Sequence, residues 1–229
     1  MKDNRSKVQR LYLYIVICIS FVVLLINTTV AYFMDQSTTS NDGVKLIVIG
    51  TLDLDVTTNF NFQNLALAPD TLYLTDHQGE DIGTYIKTSD DHDVYGAYVR
   101  VRFTTKRQNV GDSEDRDNLD LLNLYFTPDE VTTNTSYSEG SDKDKWFYNA
   151  TDNYYYYIGA VEDQFVRFNT GYKTSNYMTN VERNAPVEIE ILVESIQRQY
   201  DAYADVWTTA PTIFNEWAVK DKEAKWGQL

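Results

Sequence analysis

The stretch "GAYVRVRFTT", Gly96–Thr105, shows the residue period on which the fold depends. Its apolar residues fall at every second position: Ala97, Val99, Val101 and Phe103. The positions between them carry Tyr98, Arg100, Arg102 and Thr104. Successive side chains of a strand point to opposite faces of a sheet. The stretch therefore predicts a strand with one buried face and one solvated face.

The same period recurs near both ends of the chain. In "GTLDLDVTTN", Gly50–Asn59, one face carries Leu52, Leu54 and Val56. In "PVEIEILVES", Pro186–Ser195, one face carries Val187, Ile189, Ile191 and Val193, and the other carries Glu188, Glu190, Leu192 and Glu194. Shorter strands, separated by turn-forming clusters, are predicted at 72–75, 83–88, 122–126, 145–149, 154–160 and 165–169.

Many short strands with little helix indicate an all-β protein, specifically an antiparallel β-sandwich over residues 44–210. Residues 211–229 are predicted to form a C-terminal tail. Within it, "TIFNEWAVKDKEAKW" has the pattern of a short amphipathic helix. Its inward side chains would be Ile213, Phe214, Trp217 and Ala218.

The N-terminus has the pattern of an export leader. A basic segment precedes a largely apolar run of 16 residues, Leu11–Ile26, which is shorter than a membrane span of about 20 residues. Thr29 and Ala31 are small residues at −3 and −1 of a cut between Ala31 and Tyr32. Residues 1–31 are therefore predicted to be a signal peptide, and 32–43 a polar tether. The alternative is an uncleaved transmembrane helix that anchors the protein.

Charge and cysteine usage exclude several classes of function. The net charge is −14, and the leader itself is basic, so the remaining chain is more acidic still. Such a surface repels phosphate, and nucleic-acid binding is not expected. The one cysteine is Cys18, inside the leader, which leaves no disulfide, thiolate zinc site or thiol nucleophile beyond it.

The chain contains no recognisable catalytic motif. Its two histidines, His77 and His92, do not form the His-Glu-x-x-His pattern of zinc proteases, and no serine lies in Gly-x-Ser-x-Gly. We expect neither an enzyme nor a bound cofactor. A metal-dependent hydrolase that uses His77 or His92 with nearby aspartates is a third hypothesis.

Two features suggest ligands, each with a plainer alternative. Two acidic loops offer carboxylates that calcium favours, although solvation of the loops explains them more simply: Asp90, Asp91, Asp93, Asp112, Glu114, Asp115 and Asp117. The run Tyr154–Tyr157 places two rings on each face of a strand. Exposed rings could bind sugars or a neighbouring subunit, whereas buried rings would fill the core.

Four pieces, in order, resemble the TasA/camelysin family of exported proteins of Gram-positive bacteria. They are Ala31-Tyr-Phe-x-Asp35, Gly50-Thr-Leu-Asp-Leu54, the turn at Asn64, Leu65 and Pro69 with the strand Ala97–Phe103, and a closing strand ending at Gln197 before Trp207. Residues of about 104–180 match nothing in that family. The peptidase activity assigned to its camelysin branch has no His-Glu-x-x-His here to carry it.

The resemblance implies export by the Sec route, a dedicated signal peptidase and a jelly-roll sandwich. It also implies an extracellular or cell-surface fibre subunit of a biofilm matrix. The partners would be other copies of the chain, with other matrix proteins, and assembly would proceed by N-terminal strand exchange. The expected exchanging strand comprises Val44, Leu46, Ile47, Val48, Ile49, Leu52 and Leu54. The alternatives are that this segment is the first strand of its own sandwich, and that the protein is a membrane-anchored binding module.

Overall fold

The computed structural model describes residues 35–41, 44–50, 52–59, 67–75, 79–89, 95–107, 122–176, 187–199 and 202–227. This described part contains twelve strands and three helices. The strands are β1 Asp35–Asn41, β2 Val44–Gly50, β3 Leu54–Asn59, β4 Leu72–Tyr73, β5 Gly83–Thr88, β6 Ala97–Arg107, β7 Leu122–Tyr125, β8 Trp146–Asn149, β9 Tyr154–Tyr157, β10 Val166–Arg167, β11 Gly171–Thr174 and β12 Val187–Gln197. The helices are α1 Glu139–Asp142, α2 Ala202–Val206 and α3 Thr212–Trp226.

The largest sheet has six strands in the order β1-β2-β12-β6-β9-β8. Its centre is the antiparallel pair of β6 and β12, whose register is unbroken over eleven residues, from Val187 opposite Arg107 to Gln197 opposite Ala97. These are the two strands in which the alternation of the sequence is clearest. The long pairing follows from that shared period, because each strand presents a continuous apolar face to one side.

One strand pair departs from the predicted antiparallel sandwich. β2 runs parallel to β12, from Val44 opposite Ile189 to Gly50 opposite Ser195. The other strand pairs with a described register are antiparallel. β2 and β12 lie at opposite ends of the chain, so no hairpin turn constrains their direction.

Two three-stranded sheets, β10-β5-β3 and β4-β11-β7, pack on one face of the large sheet. The core between them draws on both layers, with Val99, Val101 and Ile191 from the large sheet and Ile86 and Tyr172 from the small ones. The prediction of an all-β fold with few short helices is confirmed.

The opposite face of the large sheet is also buried, which corrects a sequence prediction. Tyr98 was expected on a solvated face, yet only 1% of it is exposed. It packs beneath α2 and α3 in a second core with Tyr156, Leu192, Ile196 and Phe214. The predicted helix Thr212–Trp226 is present, and its four expected inward residues are buried. This helix therefore covers the sheet as a third layer.

Two segments expected to be irregular contain strands. β1 lies within the predicted tether 32–43, at the edge of the large sheet beside β2. β11 lies in a stretch whose Asn-Thr-Gly letters suggested a turn. A Cβ at Gly171 would lie 2.3 Å from the carbonyl oxygen of Tyr73, so the glycine allows the close approach of β4.

Candidate functional site: an open edge of the central strand β6

The strand β6 is paired on both sides over only part of its length. β12 accompanies it as far as Arg107, whereas β9 pairs with it only at Arg100 and Val101. β9 begins at Tyr154, because Asn153 adopts a left-handed conformation, with φ of 61°, in the turn that joins β8 to β9. Among the described residues, no strand pairs with this side of β6 beyond Val101.

The register shows which backbone groups face this open side. Ala97 and Val161 exchange two hydrogen bonds on the β9 side of β6, at N···O distances of 2.8 and 2.9 Å. The pairing with β12 contains no bulge, so every second residue of β6 points the same way as Ala97. The N–H and C=O groups of Phe103 and Thr105 therefore point away from β12. No strand of the described part of the chain pairs with them, and backbone groups left unpaired at a sheet edge form the template to which another strand adds.

A cleft of about 620 Å³ lies along this edge. β6 contributes Arg102, Phe103, Thr104 and Thr105, and the remaining lining is Leu122, Asn123, Leu124, Tyr148, Asn153 and Tyr155. The apolar side chains among them belong to or pack against the sandwich core, whereas Thr104, Asn123, Tyr148 and Asn153 are exposed. An extended chain lying here would meet apolar side chains inward and polar ones outward, as a half-buried strand requires.

One wall of the cleft is an ordered aromatic cluster. The rings of Tyr148 and Tyr155 are 4.8 Å apart between centroids, and the Tyr148 hydroxyl donates to Asn153 Oδ1 at 3.0 Å. Phe126 and Phe168 lie 5.3 and 5.4 Å from the Tyr155 ring. Burial, with a smaller contribution from nearby Tyr148, raises the pKa of Tyr155 to about 12. The wall is thus held in place by packing.

A half-buried ion pair, Arg100 with Glu194, lies where the two-sided pairing of β6 ends. The Arg100 guanidinium donates to Glu194 Oε2 at 2.8 and 2.6 Å and to the Tyr156 hydroxyl at 3.0 Å. Its Cζ lies 4.0 Å from the centroid of the Tyr154 ring. Burial disfavours the cation, but Glu194 and these hydrogen bonds outweigh it and raise the pKa of Arg100. Because its partners are satisfied, we assign this network a structural role.

The residues predicted to exchange between subunits pack within the chain's own sandwich. Val44, Leu46 and Val48 are buried in the sandwich core, and Ile47 and Ile49 pack against the second core. Leu54 is buried in β3, and Leu52 packs against the sandwich core. In this chain, β2 is therefore a strand of its own sandwich.

The tyrosine run places two rings on each face of β9, as the sequence predicted. Tyr154 and Tyr156 belong to the second core, whereas Tyr155 and Tyr157 face the sandwich core. Three of the four are buried and Tyr155 is half-buried, so the run fills the two cores rather than forming a broad ligand face.

Several predicted residues lie outside the described part of the chain: Ala31, Tyr32, His77, His92, Asp90, Asp91, Asp93, Asp112, Glu114, Asp115 and Asp117. Within the described ranges, no group of three or more His, Cys, Asp or Glu side chains could hold a metal ion. No helix in those ranges is long and apolar enough to cross a membrane.

The sequence analysis missed the open edge of β6. Its signal was a difference in length, because β6 has eleven residues, whereas the tyrosine strand β9, which follows the turn "ATDN", has four. Comparisons with protein-family models, with curated proteins and with solved structures return no match.

Proposed function

We propose that this protein is a secreted structural subunit of extracellular fibres in a biofilm matrix or at a cell surface. In this proposal, an extended N-terminal segment of one copy adds to the open edge of β6 in the next copy. The observation that carries it is the pair of backbone segments at Phe103 and Thr105 that face away from β12, beside a cleft of about 620 Å³. Main-chain hydrogen bonds supply affinity in such strand addition, and side-chain pockets supply specificity.

The segment that moves is β1, with the residues before it, rather than β2. Withdrawing β2 would expose Val44, Leu46 and Val48, each of which contributes roughly 1.5–3 kcal/mol through burial. β1 is an edge strand of polar sequence, "DQSTTSN". Its one strand neighbour in the described part of the chain is β2, so its release breaks the pairing with a single strand. β2 then anchors the donor segment to its own subunit.

Donor segment and acceptor cleft are different surfaces of one chain, so the contact is head-to-tail. Contacts of this type produce open filaments unless their rotation closes a ring. The proposed architecture is a jelly-roll-like sandwich in which one strand position is completed by a neighbour. The predicted cut between Ala31 and Tyr32 belongs to this proposal, because it frees the donor after export by the Sec route and signal peptidase. Other matrix proteins with similar N-termini could join the same fibre.

The first test blocks the acceptor edge by changing Thr105 to proline. Proline lacks the N–H that would pair with an incoming strand. In the unaltered protein, the N–H of Thr105 points away from β12, so the pairing of β6 with β12 does not use it. The matched control is Thr105→Ala, which keeps the N–H. We expect concentration-dependent growth in particle size, followed by light scattering and electron microscopy, for the control only.

A second measurement does not depend on how well the proline variant folds. A synthetic peptide of residues 32–43 should bind the unaltered protein and stop growth by occupying the cleft, whereas a scrambled peptide should not. Fibre growth that is unchanged in the Thr105→Pro variant and insensitive to the peptide would contradict the proposal.

A further inference from the structure

We propose that Tyr148 and Tyr155 form a site of oxidative cross-linking, at which a one-electron oxidant joins the two rings as dityrosine. The two residues are direct partners on the antiparallel strands β8 and β9. Their ring centroids lie 4.8 Å apart, and the ring planes are inclined at 41°. This inference is independent of strand exchange, since it concerns one chain.

Exposure distinguishes this pair from the other tyrosine pair in ring contact within the described residues. Tyr148 is 46% exposed on an edge strand, and its ring opens into the cleft. Tyr98 and Tyr203 are also close, at 5.5 Å, but both are buried and their planes are nearly perpendicular, at 79°. A peroxidase intermediate or a small oxidising radical can reach Tyr148, whereas the Tyr98 pair is shielded by α2 and α3.

The chemistry balances with hydrogen peroxide as the oxidant and a peroxidase as the catalyst. Each phenol loses one hydrogen atom, as an electron and a proton, and one peroxide is reduced to two waters. The two tyrosyl radicals carry spin density on the carbons ortho to oxygen, where a carbon–carbon bond forms between the rings. The two ring hydrogens then return to the phenol oxygens. When oxidation starts at the exposed Tyr148, the ring with which it couples, that of Tyr155, already lies in contact with it.

The bond would tie together two strands that both line the cleft. β8 is the last strand of the large sheet and has only β9 as a strand neighbour in the described part of the chain. A covalent link between its centre and β9 would prevent β8 from separating and would fix one wall of the cleft. The one cysteine of the chain, Cys18, lies in the predicted leader, so cross-linking would give the sandwich a covalent link comparable to a disulfide.

The test treats the dilute full-length protein with peroxidase and hydrogen peroxide, then maps proteolytic peptides by mass spectrometry. The expected product is an intrachain peptide pair that joins Tyr148 to Tyr155 and is lighter by two hydrogen atoms. It should be lost in both Tyr148→Phe and Tyr155→Phe, which retain the rings, and should persist in Tyr98→Phe. The proposal is overturned if that linkage is absent, if Tyr98–Tyr203 couples as readily in the folded protein, or if Tyr148 couples mainly to other chains.

Discussion

Replacing Phe214 by alanine tests whether α3 is an integral layer of the fold. Phe214 is fully buried and meets five aromatic rings, with centroids 5.3–5.7 Å away: Tyr98, Tyr156, Tyr203, Trp207 and Trp217. A buried Phe→Ala change costs about 3–5 kcal/mol. Each aromatic pair adds about 0.5–1.5 kcal/mol beyond its buried area. The expected loss of stability for Phe214→Ala therefore lies near the upper end of the roughly 3–5 kcal/mol range.

The assay is equilibrium unfolding in urea, followed by tryptophan fluorescence and by far-ultraviolet circular dichroism. Trp207 and Trp217 flank Phe214 and report on the second core, whereas circular dichroism reports on the sheets. If α3 is integral, both signals move together to a lower midpoint with an unchanged slope.

The matched control is Val219→Ala in the same helix, because Val219 is 49% exposed and should change stability by less than about 0.5 kcal/mol. A loss below about 1 kcal/mol for Phe214→Ala would refute the reasoning. So would a helix transition that leaves the sheet transition in place, since α3 would then be a separable tail.

Three further perturbations have definite expected outcomes. Ile191→Asp places an unpaired charge in the sandwich core and should leave the chain unfolded by circular dichroism; a folded variant would mean that the register of β12 is wrong. Asp142 accepts three hydrogen bonds, which outweigh the effect of its burial and lower its pKa. Asp142→Ala should therefore reduce the free energy of unfolding, measured in urea, by roughly 2–3 kcal/mol. An unchanged free energy of unfolding would contradict this. Burial, chiefly, raises the pKa of Tyr154, Tyr155 and Tyr156 from 10.0 to about 12. The unfolded chain then releases these three protons first, so stability should fall as pH rises between 10 and 12. The phenolate absorbance that is lost when these three tyrosines are replaced by phenylalanine should appear with unfolding rather than before it.

The parts of the fold that local patterns specify were predicted well. β5 lies at the predicted residues, and α3 spans the predicted helix with its four inward side chains buried. Alternation in β6 and β12 places the expected Ala97, Val99, Val101, Ile189, Ile191 and Val193 in the sandwich core. These features depend on the period of a single segment, which a sequence contains in full.

Features that depend on what covers a segment were missed. Tyr98 and Leu192 occupy positions that the alternation assigns to the outer face, and they are buried only because α2 and α3 return over the sheet. The parallel pairing of β2 with β12 likewise joins the two ends of the chain. Such contacts are determined by the tertiary fold of the whole chain rather than by the local propensity of one segment.

The open edge of β6 was not predicted, because it depends on how far the neighbouring strand β9 extends rather than on the period of β6 itself. Its position depends on where β9 begins, and that depends on the left-handed turn at Asn153. The sequence did predict an N-terminal strand capable of exchange. The structure changes which strand the proposal uses, since β2 is held by buried side chains and β1 lies at the edge.

The most direct test of the central claim is a mixed disulfide between two differently labelled populations. One carries a cysteine in β1, Thr38→Cys, and the other carries Thr104→Cys beside the open edge; both are produced without residues 1–31, and therefore without Cys18. If the N-terminal segment of one copy lies in the cleft of the next, mixing during assembly and mild oxidation should give a disulfide between the two labels. A scan of cysteines from residue 36 to 40 should show one preferred register. Fibres that form without any disulfide between the two populations would contradict the account.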